Sequence, residues 1–324
     1  MQGIFSESYG YICQVKRFEM NRRQSTLMLH FIVLIFGFTG ILGKLIEVEA
    51  MRVVFWRVLI GGGVVAAFLL ATGRMKRMRG KALWQVALVG CIAGAHWVTF
   101  FQAIKVSNVS VALATLASAP LFVGLVEPVV HKRRVDWREM ALALVISLGL
   151  LLIIFAPSGS ETVAAHGGNH LAGVAWAMLS AFLAAVFSTL NSVLVRKHDS
   201  ANLTRVEMLS AAVGIALIFG WRGDLWLPSF WQLTPMDWLW IGLLATVATA
   251  FAYLMSIEVM RQLTPFTTAM AINMEPVYAI VLSAWIFGES EQMGLWFYLG
   301  ACVVIGAVAM DAWLKRRARR RSGL

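Results

Sequence analysis

The chain has 324 residues, of which 59% are hydrophobic and only 14% are charged, whereas soluble domains carry about 25% charged residues. Its mean hydropathy is +0.74. This composition excludes an ordinary water-soluble protein and indicates an all-α membrane protein, because a spanning chain needs apolar side chains on its lipid-facing surface as well as inside. The formal net charge of +11 falls almost entirely between apolar runs, so we expect a lipid bilayer as partner and no nucleic acid.

Ten apolar runs approach the length of about 20 residues that a membrane-spanning helix needs. The sequence therefore predicts ten transmembrane helices. The runs cover residues 27–46, 53–71, 82–104, 109–130, 137–155, 171–195, 206–221, 238–257, 265–287 and 295–314.

Two local patterns add detail to these helices. Thr264 before Pro265 predicts a helix start, because a hydroxyl caps the first turn and proline is tolerated there. Gly90 and Gly94 lie four residues apart in the third run and predict close packing of that helix against a neighbour.

Lysine and arginine are concentrated in alternate connections between the runs. They cluster in the amino-terminal tail, in residues 74–81, 132–138 and 196–205, and in the carboxyl-terminal tail. Because positively charged loops stay in the cytoplasm, this pattern predicts a multi-pass protein of the bacterial inner membrane with both termini cytoplasmic.

The two halves of the chain share a weak repeat. The residues Ser118 to Leu121 and Met274 to Val277 occupy the same place in the fourth and ninth runs, at an offset of 156 residues. Five helices per half is an odd number, so the second half enters the membrane from the opposite side. We therefore predict two inverted five-helix repeats, with a tail 1–26, a first repeat 27–156, an outer linker 157–170, a second repeat 171–314 and a basic tail 315–324.

Several short motifs keep their order and spacing over nearly the whole chain. They are Phe55-Trp56-Arg57, Ala103-Ile104-Lys105-Val106-Ser107, Ser118-Ala119-Pro120-Leu121-Phe122, Glu275-Pro276-Val277, Phe287-Gly288-Glu289, Gly300 and Gly306. In this arrangement the chain resembles the EamA-type permeases of the drug/metabolite transporter superfamily. The resemblance implies a secondary transporter, often an exporter, of amino acids, other metabolites or drugs, with a central cavity between the two repeats. It leads us to expect an exporter of a small metabolite or drug-like amphiphile that works by alternating access.

Glu275 is the first candidate for a functional residue. An acidic side chain at mid-helix depth costs about 2.5 to 3.5 kcal/mol to insert when charged, and such residues usually mark functional sites. We expect Glu275 to bind a proton for coupling or to accept a hydrogen bond from the cargo, with Asn273 close to it. The structural alternative is a protonated Glu275 that bonds to a backbone carbonyl freed by Pro276.

Arg57, His96 and Trp97 complete the predicted substrate-binding or coupling set. Arg57 is expected to bind cargo or gate the cavity, unless it serves the topology, forms an ion pair or snorkels to the membrane surface. His96 can join a proton relay or contact cargo, because imidazole titrates near neutral pH, or its polar atoms can be satisfied by a neighbouring helix. Pro120 and Pro276 are expected to shape the cavity walls, since each removes a backbone donor near a helix centre.

An enzyme and a receptor are the two alternatives to a transporter. An enzyme needs a nucleophile with a base, or a metal set, and the sequence offers no such set and no phosphate-binding loop. His166 and His170 lie four residues apart, but glycines between them argue against a helical zinc pair, so we expect no enzyme activity, no metal and no cofactor. A membrane receptor that binds a small molecule without transport remains the alternative, although the short loops leave no room for a soluble output domain.

Overall fold

A computed structural model describes residues 20–107, 109–154, 170–275, 278 and 295–322. The regular structure within these ranges is helical. Some of the predicted features lie outside the described residues: the tail up to residue 19, residues 157–169 of the linker, Pro276, Val277, Phe287, Gly288 and Glu289.

The first half of the described chain forms six helices, each starting near the beginning of a predicted run or continuing one. They are α1 (Arg22–Leu45), α2 (Ala50–Ala71), α3 (Gly80–Val106), α4 (Val109–Leu116), α5 (Ala119–His131) and α6 (Trp137–Ile154). The second half repeats this succession of long and broken helices. It comprises α7 (His170–Leu194), α8 (Ser200–Arg222), a 3-10 turn (Asp224–Trp226), α9 (Pro228–Trp231), α10 (Pro235–Ala245), a π-helical segment (Thr246–Phe251), α11 (Ala252–Val259), α12 (Pro265–Ile272) and α13 (Leu295–Ser322).

Six helical stretches within the described residues are long and apolar enough to cross a membrane. They are Ala50–Ala71, Gly80–Val106, Leu171–Leu194, Ser200–Arg222, Pro235–Val259 and Tyr298–Lys315. These six agree with six of the ten predicted runs, and the protein is a multi-pass helical membrane protein. The total of ten spans stays a prediction.

The fourth run of the first half is a broken helix and not the continuous one that was predicted. The helix α4 ends at Leu116 and α5 begins at Ala119. Pro120 is the second residue of α5, where its missing N–H and fixed φ are tolerated, whereas inside a continuous helix they would disrupt it. In the second half α12 ends at Ile272, which is 156 residues after Leu116, so both halves interrupt the equivalent helix at the same point.

The connections of the bundle lie at two opposite ends. At one end, which carries most of the basic residues and is called here the basic end, Arg74 pairs with Asp199 at 3.5 Å and Arg261 donates to the carbonyl of His198 at 2.8 Å. These contacts join the α2–α3, α7–α8 and α11–α12 connections. At the far end, Arg222 pairs with Glu49 at 3.4 Å, which joins the start of α2 to the end of α8.

Small residues allow α3 to approach α8 closely, as the glycine spacing predicted. A Cβ atom on Gly90 would lie 2.3 Å from the backbone oxygen of Glu207 and 2.5 Å from its Cα, and one on Gly94 would lie 2.9 Å from the Cβ of Ala211. Real Cβ atoms do not come this close to backbone, so α3 and α8 can keep this distance only with glycine at position 90. The N-cap role predicted for Thr264 is also confirmed, because its side chain accepts from the backbone N–H of Thr267.

We predict that Gly90→Ala lowers the thermal unfolding temperature of the detergent-solubilised protein, at a cost of about 1 to 3 kcal/mol for overpacking. Gly63→Ala is the matched control, because a Cβ at this helical glycine meets nothing within 4 Å and alanine is the better helix former. Equal unfolding temperatures for the two variants would contradict the close approach of α3 to α8.

Candidate functional site

A central cavity of about 140 Å³ lies between helices from both halves of the chain. All five residues that were predicted to bind substrate or couple transport, Arg57, His96, Trp97, Asn273 and Glu275, contribute to its lining. The rest of the wall is mostly apolar and aromatic. It includes Phe36, Phe100, Leu113, Leu116, Ala117, Ala119, Val123, Ala184, Ala185, Phe187, Ala269 and Ile272, with the polar side chains of Thr39, Ser188, Tyr253, Ser256 and Thr268.

Arg57 points into the bundle and is only 3% exposed. Its Nε–H donates to the hydroxyl of Thr249 at 2.5 Å, and its guanidinium lies over the ring of Trp97, 4.7 Å from the centroid. The snorkelling interpretation is therefore wrong. Among the described residues no carboxylate lies within ion-pair distance of Arg57. The buried Arg57 guanidinium therefore borders the cavity with only a hydroxyl and aromatic rings as described partners.

The π-helical segment explains how Thr249 reaches Arg57. In this segment the Thr249 hydroxyl donates to the carbonyl of Leu244, five residues earlier, at 2.7 Å. One extra residue in the turn rotates the helix face, and such π-bulges often occur at functional sites. The sequence contained no readable signal for this rotation.

His96 is held by a neighbouring helix while it lines the cavity. Its Nδ1 lies 2.9 Å from the carbonyl oxygen of Ser180 and 2.9 Å from the hydroxyl of the same residue on α7. Trp97, next to it on α3, packs edge-on against Tyr253 with the ring centroids 5.0 Å apart. A neighbouring helix thus satisfies Nδ1 of His96, as the structural alternative predicted. Because His96 also lines the cavity, its contact with cargo stays a prediction.

Asn273 joins the two halves of the molecule at the broken helices. Its side-chain amide donates to the backbone carbonyl of Ala117 at 2.9 Å. Asn273 and Ala117 are separated by the repeat offset of 156 residues, so equivalent positions of the two halves touch each other. This hydrogen bond therefore joins the two repeats at the equivalent helix breaks.

Glu275 follows the break in the second half and is 5% exposed. Among the described residues Glu275 has no hydrogen-bond or ion-pair partner. In particular, no described backbone carbonyl accepts a hydrogen bond from it, as the structural alternative would require. Pro120 is buried behind the wall, whereas Ala117 and Ala119 on either side of the break line the cavity. The corresponding proline of the second half, Pro276, lies outside the described residues.

Glu207 is a buried carboxyl that the sequence analysis missed. It is 1% exposed and accepts hydrogen bonds at Oε2 from the Tyr253 hydroxyl at 2.7 Å and from the Asn191 amide at 3.3 Å. It was overlooked because the predicted run began at residue 206, which placed Glu207 at a helix end. The helix in fact begins at Ser200, after Asp199 caps it by accepting from the N–H of Asn202, and this capping signal was present in the sequence.

The described residues contain no group of three or more histidine, cysteine, aspartate or glutamate side chains arranged to hold a metal ion. The polar groups around the cavity are instead one cation, one carboxyl, one imidazole, one side-chain amide and several hydroxyls. Groups of these kinds bind small polar or charged organic molecules through hydrogen bonds and charge.

Comparison with known proteins assigns the family. The model of the EamA-like transporter family matches residues 25–155 and 171–311. The chain belongs to the EamA-like transporter family. Each match covers one half of this EamA-like transporter, so the repeat that the sequence indicated is confirmed as two family repeats, and the protein is a membrane transporter.

Two individual proteins are similar to this EamA-like transporter. A Bacillus subtilis (strain 168) protein named "Uncharacterized transporter YxxF" is 20% identical over 294 residues, which cover 90% of each chain. A solved structure titled "Crystal structure of protein" has a TM-score of 0.71 at 19% identity, and the superposition covers 92% of this chain and 99% of that one. The similarity to the solved structure supports the helical fold described above.

We predict that Thr249→Val destabilises the transporter by about 1 to 3 kcal/mol, because it leaves the buried Nε–H of Arg57 without its acceptor. Thermal unfolding in detergent measures the change. Thr246→Val serves as the control, since that hydroxyl is exposed and bonds only to Gly242 of its own helix. If both variants unfold at the same temperature, the bond to Thr249 does not hold Arg57 in place.

Proposed function

We propose that this protein is a secondary transporter of the bacterial inner membrane that exports a small metabolite by alternating access of two inverted repeats. In this proposal both termini are cytoplasmic, and the basic end of the bundle faces the cytoplasm. The observation that carries the proposal is the central cavity, which is bounded by equivalent helix breaks from the two repeats. Discontinuous helices of inverted repeats build the substrate sites of many secondary transporters.

The shape of the cavity supports uptake of cargo from the cytoplasmic side. Its lining continues to Met260 and Pro265, which flank the α11–α12 connection at the basic end. In the other direction it stops at Thr39, Phe100 and Leu113, one helical turn or more from the far ends of their helices. A cavity that reaches toward the cytoplasm has the orientation in which an exporter takes up its cargo.

The charges at the cavity favour a cargo with both an anionic and a donor group. Arg57 lacks a carboxylate partner among the described residues, so a carboxylate on the cargo would complete its charge pairing. Glu275 offers acceptor oxygens that would receive hydrogen bonds from an amino group. The aromatic side chains of Phe36, Phe100 and Phe187 would take an apolar side chain, which is the chemistry of an apolar amino acid.

The volume of the cavity limits the size of the cargo. A cavity of about 140 Å³ is close to the engineered cavity of about 150 Å³ that holds benzene in another protein. We therefore propose a small amino acid or a small amphiphile as the cargo of this conformation.

We predict that proteoliposomes containing the wild-type protein transport at least one labelled apolar amino acid, and that Glu275→Gln reduces this flux by about 10- to 100-fold. The loss corresponds to one hydrogen bond with a charged group. Glu49→Gln is the matched control, because Glu49 lies at the far end and its side chain is 46% exposed.

Three results distinguish the interpretations. Flux by the wild type and by Glu49→Gln, but not by Glu275→Gln, supports a carrier with Glu275 in contact with cargo. Wild-type flux in Glu275→Gln contradicts that role of Glu275. Saturable binding of an amino acid without flux of any solute would make the protein a receptor and overturn the proposal.

A further inference from the structure

Behind the wall of the central cavity lies a second group of buried polar side chains, which the proposed cargo site does not use. It consists of Glu207 on α8, Asn191 on α7 and Tyr253 on α11. Glu207 and Asn191 do not line the central cavity, whereas Tyr253 does. Tyr253 therefore connects this group, called here the Glu207 triad, with the cargo site.

Two oxygen atoms of the Glu207 triad have no hydrogen-bond donor among the described residues. They are Oε1 of Glu207 and Oδ1 of Asn191, and both are fully buried. The other atoms are paired, because Oε2 of Glu207 accepts from the Tyr253 hydroxyl at 2.7 Å and from the Asn191 amide at 3.3 Å. Buried acceptors without donors are rare in proteins and call for a missing partner.

A single proton on Glu207 would satisfy both atoms. Protonation converts Oε1 from an acceptor into an O–H donor, and the amide that contacts Glu207 at 3.3 Å carries Oδ1, an acceptor without a donor. It also removes a negative charge for which the described residues provide no cation at ion-pair distance, in an apolar environment where an uncompensated charge is costly. A metal ion fits less well, since two free oxygens are far fewer than the ligands that oxygen-binding metals take.

A polar stripe connects Glu207 with the basic end of the bundle. Ser200, Thr204 and Glu207 follow one another at spacings of four and three residues, which places them on one face of α8. The Thr204 hydroxyl is buried and has no partner among the described residues. Ser200 lines a second cavity of about 720 Å³, whose polar lining includes Arg74, Asp199 and Glu258, so a proton from this side has a short route to Glu207.

Each repeat buries one ionisable residue of opposite sign in its second helix. Arg57 and Glu207 each lie seven residues after the first residue of α2 and α8, which are the second helices of the two repeats. Tyr253 lies between them, since it bonds to Glu207 and its ring packs against Trp97, which in turn lies under the Arg57 guanidinium. A change at Glu207 thus reaches the cargo site through Tyr253.

We propose that Glu207 is the proton-binding site of this transporter, with Asn191 and Tyr253 as its partners, and that Tyr253 couples the proton to the cargo. With Glu207 ionised, its carboxylate holds the Tyr253 hydroxyl. With Glu207 protonated, Oε1–H donates to Asn191 after a small adjustment. The bond from the Tyr253 hydroxyl to Oε2 remains but weakens, because a neutral C=O accepts less strongly than a carboxylate, so that a polar group of the cargo can compete for the tyrosine hydroxyl. The coupling half of this proposal rests on the transport function proposed above, whereas the proton-binding half does not.

Other ionisable groups around the Glu207 triad are few. Tyr253 on α11 contacts it directly, Arg57 on α2 interacts electrostatically with Tyr253, and His96 on α3 interacts with Arg57. The remaining ionisable side chains of the helices packed against α8, and of α8 itself, are Cys91 on α3, whose thiol donates to the carbonyl of Ser210 at 3.7 Å, and a set toward the ends of the bundle: Arg52, Lys81, Lys105, Arg205, Arg222 and Glu258. The infrared band of a protonated carboxyl is separate from the signals of arginine, lysine, histidine and cysteine, and Glu258 is distinguished from Glu207 because it remains in Glu207→Gln.

The test is infrared difference spectroscopy of the full-length protein in liposomes, stepped from about pH 5 to about pH 9 without any cargo. We expect a carboxylic-acid C=O band in the wild type that disappears at alkaline pH. Glu207→Gln should lack this component, and Glu275→Gln should retain it. Tyr253→Phe should shift the band to higher frequency, because the C=O oxygen loses the hydrogen bond from the tyrosine.

The outcomes separate this proposal from the proposed function. An unchanged band in Glu207→Gln, or an unshifted band in Tyr253→Phe, overturns the proton site whether or not any solute is transported. If sodium ions rather than alkaline pH remove the band, the site binds a metal ion and the proposal is wrong. If transport is found, its rate should respond to a pH gradient in the wild type and in Glu49→Gln but at least 10-fold less in Glu207→Gln, and an equal response contradicts the coupling.

Discussion

The hydrogen bond from the Asn273 side chain to the carbonyl of Ala117 joins the two repeats at the centre of the bundle. It exists because each repeat interrupts its fourth helix at the same point, leaving backbone carbonyls without helical partners. In an apolar membrane interior such groups need partners within the protein or in a wet cavity. The central cavity lies at these breaks, so the feature that weakens the helices also creates the site.

The charged residues of the interior follow the symmetry of the repeats but differ in sign. Arg57 in the first repeat faces the cavity with a hydroxyl and aromatic rings as partners, and Glu207 in the second repeat lies behind it with an amide and a phenol. Each lies seven residues after the first residue of the second helix of its repeat, yet one borders the proposed cargo site and the other forms the proposed proton site. In the proposed transport cycle, each repeat would thus have a separate task.

Much of the fold followed from the sequence because apolar length, loop charge and proline positions are local signals. The five predicted site residues line one cavity because polar groups within apolar runs rarely face lipid. Three features were not predictable in the same way. The π-turn that brings Thr249 to Arg57 depends on helix rotation, and the break before Pro120 depends on the partner repeat. Glu207 was hidden because Ser200, Asn202, Thr204 and Arg205 shortened the apolar run.

Alternating access of the central cavity is the core of this account, and cysteine accessibility tests it most directly. Ala269→Cys places a thiol in the cavity wall, in a protein whose native cysteines are replaced by serine. A membrane-impermeant maleimide is applied to right-side-out and to inside-out vesicles, with Leu217→Cys on the lipid-exposed face as control. The account predicts labelling of Ala269→Cys from both faces and of Leu217→Cys from neither. Labelling of Ala269→Cys from one face alone would contradict it.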